Sequence, residues 1–152
     1  MNKKDSMKFM FFNRFWVLRY SIAIFFFANF YWMVTAWASK SLSLIIPLVM
    51  MFFALAVAIE LTSKLHTNKS ELPLTKAFYL TQLGLNLLLV ITCLTPLYDN
   101  VFPFLKNSGQ LFVELICAIG AILCLLSLAK IKQLVAGTDR QLKIMKMFEK
   151  NN

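Results

Sequence analysis

One histidine, His66, stands in the whole chain, and that scarcity excludes a bis-histidine haem and a histidine-based zinc site. The three cysteines, Cys93, Cys117 and Cys124, all fall inside apolar stretches. No disulfide framework or C-x-x-C pair can be drawn from them, and they leave the redox compartment unread. Four Gly and four Pro in 152 residues give little room for long linkers or low-complexity sequence, and no internal repeat is present. A Gly-rich phosphate loop, a G-x-S-x-G elbow and an H-E-x-x-H pair are all missing. Charge is scarce as well. Only 15% of residues are charged against 59% apolar, a balance at odds with the largely polar surface that a soluble domain of this size needs.

What is present in quantity is uncharged apolar sequence. From Arg19 to Lys40 twenty residues pass without a charge. That is the length an α-helix needs to cross roughly 30 Å of hydrocarbon at about 1.5 Å per residue. Trp16 near one end of this run, and Trp32 and Trp37 near the other, fit the two aromatic belts of a bilayer. Ala36-Trp37-Ala38 resembles a signal-peptidase site, but Phe30, Tyr31 and Trp32 crowd the place where small residues are wanted and the run is long, so it reads as a retained span.

Three further spans follow the same logic. The expected set covers residues of about 19–38, 44–61, 77–97 and 110–129, followed by a tail over 130–152. Pro47 sits in the first turn of the second span, where a missing N–H costs least. A polar loop is expected from Thr62 to Thr75, and Pro96 with Tyr98-Asp99-Asn100 is expected to stop the third span. Gly137 is placed to end the helix that continues the fourth, and Thr138 with Gln141 has capping-box spacing. In the short helix beyond it Leu142, Met145 and Phe148 share a face, with Lys143, Lys146 and Lys150 elsewhere, a pattern suited to an anionic leaflet or a partner helix.

The net charge of +9 is distributed by topology rather than as a nucleic-acid footprint. Fourteen of the 16 Lys and Arg fall on one side of this arrangement, leaving only Lys40 and Lys106 on the other. The basic side is cytoplasmic by the positive-inside rule. Asn68-Lys69-Ser70 matches a glycosylation sequon but falls on that same side. The expected fold is therefore one all-α integral membrane domain. It has four transmembrane helices in an antiparallel up-down bundle, both termini cytoplasmic, and a short amphipathic C-terminal helix.

Polar residues inside spans are costly and become the candidate functional residues. Arg19 and Glu60 fall at similar depth near the cytoplasmic side and are placed to form an ion pair, the alternative being separate snorkelling. Asn29 and Asn86 fall near the midplane, and Tyr79, Gln82, Asn86 and Cys93 form one stripe. Such a stripe more often fastens helices than lines a path. Glu114 lies about one turn inside the fourth span, on a stripe continued by Cys117, Ala121 and Cys124 with Gly120 beside it. A desolvated carboxylate there would suit proton or cation coupling, and a water-reaching one would not.

These observations lead to a non-enzymatic, multi-pass plasma-membrane protein without cofactor, catalytic residue or metal. Its partners would be the lipid bilayer and another membrane protein or a second copy of itself, in an accessory or immunity-type role. The alternative is a small oligomeric transporter or channel component using Glu114, Asn29 and the Gln82/Asn86 stripe. A lipid-acting enzyme built on His66 with Glu60 or Glu71 ranks third.

Overall fold

The computed structural model describes residues 2–64 and 71–151. His66, Lys69 and the sequon at Asn68 lie outside the described residues. Every regular element among the described residues is a helix. In chain order they are α1 (Lys3–Arg14), α2 (Trp16–Ala38), α3 (Ile45–Lys64), α4 (Pro73–Cys93), α5 (Tyr98–Val101), α6 (Gln110–Ala136) and α7 (Arg140–Lys150). Helices α2, α3, α4 and α6 are each long and apolar enough to cross a membrane.

The N-terminal stretch, expected only as a basic-aromatic segment, is a helix. Asp5 in the first turn of α1 and Arg14 in the last complement the helix dipole. A single buried residue, Phe15, separates it from α2, which begins three residues earlier than the charge pattern indicated. Lys40 ends α2 in the left-handed conformation at φ 51°. The Lys40 N–H donates to Trp37 O at 3.0 Å and the Ser41 N–H to Ala36 O at 3.0 Å, the paired bonds of a Schellman motif. At the end of α6, Gly137 has φ 67° and the same two bonds, so its expected stop holds.

The loop expected over Thr62 to Thr75 is shorter at both ends. Helix α3 runs on to Lys64, and α4 starts at Pro73, which occupies the first helical position, where its missing N–H leaves nothing unsatisfied. Helix α4, the third expected span, ends at Cys93 rather than near residue 97. Pro96 disfavours the α conformation at Thr95, and the chain tightens beforehand through Leu94 N–H to Ile91 O and Thr95 N–H to Thr92 O. The connection beyond is ordered by Trp32 of α2, whose ring stacks on Phe102 with centroids 5.4 Å apart. Trp32 is thus a packing residue, whereas Trp16 and Trp37 remain 50% and 71% exposed.

The four long helices close a ring of contacts, α2 on α3, α3 on α4, α4 on α6 and α6 on α2, with the α4–α6 face the most extensive. Inside lie two apolar clusters. One gathers Phe15, Leu18, Phe25, Phe78, Tyr79 and Cys124 with α3 residues such as Val57. The other gathers Leu89, Cys93, Tyr98, Phe102, Val113 and Cys117. The outward faces are apolar too: Phe27, Phe52, Ile59 and Leu111 are each 65–69% exposed. Exposed apolar surface on this scale belongs against hydrocarbon or protein.

Candidate functional site

Between the two apolar clusters, on the same helices, sits a layer of amides. On α4 the order is Phe78 and Tyr79, then Gln82 and Asn86, then Leu89 and Cys93. On α6, Cys124 and Cys117 flank Gly120. The layer is assembled by hydrogen bonds of moderate length. Asn29 Nδ2 donates to Phe25 O at 2.8 Å and to Gln82 Oε1 at 3.4 Å. Gln82 Nε2 donates in turn to Asn86 Oδ1 at 3.2 Å. All three side chains are buried. Asn29 therefore reaches the α4 stripe through Gln82, although Asn86 is the residue that shares its depth, because Gln82 is the longer side chain and spans the gap.

Gly120 explains why α6 comes so close. A Cβ built there would lie 2.7 Å from Asn86 Nδ2, so only glycine admits the amide. The Asn86 Nδ2 group itself is buried and has no hydrogen-bond partner. Deeper in the first cluster the same helices are tied twice more. Tyr79 Oη donates to Leu18 O at 3.0 Å, and the Ser127 and Ser21 hydroxyls meet at 3.3 Å. The result is a polar seam joining α2, α4 and α6, from which α3 is excluded.

The remaining candidates separate from this seam. Glu60 does not pair with Arg19. Its carboxylate turns to α4, where Oε2 accepts from the Thr75 N–H at 2.8 Å and the Thr75 hydroxyl at 2.7 Å, and Oε1 from the Leu74 N–H at 3.4 Å. The physical reason is local. Leu72 at the N-cap position has no side-chain acceptor, so the positive end of α4 draws an acceptor from the neighbouring helix. Arg19 instead places its guanidinium 4.7 Å from the Phe12 ring centroid, a cation–π contact. Glu114 is half-buried at the edge of the α6 seam, six residues from Gly120 and so about 9 Å away along the helix. It makes no hydrogen bond or ion pair among the described residues. A pairing of His66 with Glu60 or Glu71 lies outside the described residues at its histidine, and the Glu60 carboxylate is engaged by α4.

Sequence reasoning missed the most polar node in the molecule. Arg14, the last residue of α1, donates to Asp139 from Nε and Nη2 at 3.0 Å each, with side chains only 5% and 0% exposed. Nη2 also donates to Leu134 O at 3.3 Å, near the end of α6. Asp139 caps α7, accepting from the Leu142 N–H at 3.2 Å, so the cap falls one residue beyond the expected Thr138. One arginine thus ties α1 to the close of α6 and the start of α7. The signal that was available is that Asp139 is among the strongest N-cap residues and one of only seven acids. The expected face of α7 is real, with Met145 buried and Lys143, Lys146 and Lys150 exposed, but α7 packs on α1.

Among the described residues no three His, Cys, Asp or Glu side chains gather where a metal ion could be held. No protein-family profile, curated protein or solved structure matches this chain.

Proposed function

We propose that the chain is a non-enzymatic multi-pass protein of the plasma membrane, an accessory or immunity-type subunit that works by contact with another membrane protein. Helices α2, α3, α4 and α6 would cross the bilayer as an antiparallel bundle with both termini in the cytoplasm. The observation that carries this reading is the amide layer. Asn29 bonds to Gln82 and Gln82 to Asn86, the Asn86 amide is closed against Gly120, and apolar clusters lie on both sides, an arrangement that fastens helices. Exposed apolar residues on the outer faces leave ample surface for lipid and for a partner helix. Co-purification from native membranes in mild detergent tests the reading. A solitary monomer that supports solute flux in liposomes overturns it. Topology has its own check: Lys40→Cys and Lys106→Cys should react with an impermeant thiol reagent from outside, and Lys69→Cys should not.

A transporter or channel component is the second reading, favoured by one observation: Glu114 is half-buried and without an ion-pair partner among the described residues. A carboxylate so placed would couple solute movement to a proton between protomers. Under that reading Glu114→Gln abolishes pH-dependent flux, and unchanged flux removes Glu114 from the path.

A further inference from the structure

Helices α2 and α3 do not close on each other over their whole length. Between them lies a half-open groove of about 260 Å³, lined by Arg19, Ala23 and Phe26 of α2 and by Ala54, Ala58 and Thr62 of α3. It exists because Ala23, Ala54 and Ala58 carry nothing beyond Cβ where the flanking positions carry phenylalanine and leucine. On α2 the lining runs from Arg19 to Phe27, and on α3 from Ala54 to Thr62, the same number of residues on each. That is about 12 Å of helix, most of the roughly 15 Å hydrocarbon depth of one leaflet. One end is therefore apolar and near the midplane, and the other ends at Arg19.

The Arg19 guanidinium makes no hydrogen bond or ion pair among the described residues. The nearest acid by depth, Glu60, is held by Thr75 and Leu74 on α4. No carboxylate pairs with Arg19 among the described residues. The Phe12 ring of α1 steadies it from one side, leaving its N–H donors for an acceptor at the groove mouth. A planar fork of donors at the surface end of a hydrocarbon-deep slot matches a phosphodiester carried on an acyl chain.

We propose that this groove binds one anionic phospholipid, with an acyl chain along Ala23, Leu55 and Ala58 and the phosphate on Arg19. The site rests on the membrane-spanning reading above, and it assigns to Arg19 a ligand in place of the side-chain partner the sequence suggested. Native mass spectrometry of the full chain in detergent, with phosphatidylglycerol or phosphatidylcholine added, tests it. The wild-type protein should retain phosphatidylglycerol over phosphatidylcholine by about fivefold, the effect of one basic residue beside an anionic headgroup. Arg19→Ala should erase that preference while acyl binding persists, and Ala23→Leu, at an exposed position, should lower retention of both lipids. Lys146→Ala, on α7, should change neither. A preference that survives Arg19→Ala, or falls equally in Lys146→Ala, overturns the site, as does retention unaffected by Ala23→Leu. Release of the protein from membranes by alkaline carbonate would instead overturn the spanning reading, whatever the lipid result.

Discussion

Helices α2, α4 and α6 fasten to one another with neutral groups, whereas the terminal helices fasten to the rest with a full ion pair. In the seam of α2, α4 and α6 the polar side-chain groups are amide, hydroxyl or phenol. At the junction of α1, α6 and α7 the contact is Arg14 with Asp139, both almost fully buried. The difference follows from desolvation. Burying a neutral amide costs a few kcal/mol at most and one or two hydrogen bonds offset it, while a buried ion needs a complete shell of partners. Around Arg14 and Asp139 the carboxylate accepts two arginine N–H groups and the Leu142 N–H, and the guanidinium also reaches Leu134 O.

Breaking each side of this comparison should give effects of different size. Arg14→Ala leaves a buried carboxylate unpaired and should cost about 3–5 kcal/mol, read as a fall in thermal midpoint in detergent with α7 losing its amide-exchange protection. Arg14→Met combined with Asp139→Ser removes both charges, keeps the α7 cap and should recover most of that loss. A double variant no better than the single would mean that the pair itself is strongly stabilising. Gly120→Val drives a side chain into Asn86 and should cost about 1–3 kcal/mol, with the α4–α6 face opening first in amide exchange. Gln82→Leu cuts the links to both Asn29 and Asn86, yet a loss of only about 0.6–2 kcal/mol is expected for neutral bonds in an apolar setting. An effect as large as that of Arg14→Ala would erase the distinction between seam and junction. Smallest is Lys40→Gly, which relieves a left-handed lysine and should stabilise by about 1 kcal/mol, with Gly137→Ala losing a similar amount.

The legibility of these two regions in the sequence was unequal. Asn29, Gln82 and Asn86 stand out because amides in long apolar runs are conspicuous, and their helical spacing places the α4 pair on one face. Arg14 did not stand out. It reads as one more basic residue ahead of a span, and its partner is 125 positions away, beyond the reach of any local pattern. Glu60 was legible as costly but not as a cap, because Thr75 lies 15 positions further on, beyond the reach of local propensity rules. Trp32 was assigned to a belt by depth alone, and its ring stack with Phe102 depends on how the connection after α4 folds back.

By itself the sequence determined that four helices are long and apolar enough to span a membrane, since hydrophobic run length needs no tertiary information. It also determined the stop at Gly137, which follows from a residue's own backbone freedom. Only the tertiary structure decided which polar groups meet. It sent Glu60 to α4, left Arg19 facing an open groove, closed Asn86 on Gly120 and gave Arg14 to Asp139. Those choices depend on side-chain reach across helix interfaces, over a few ångströms that residue order does not encode.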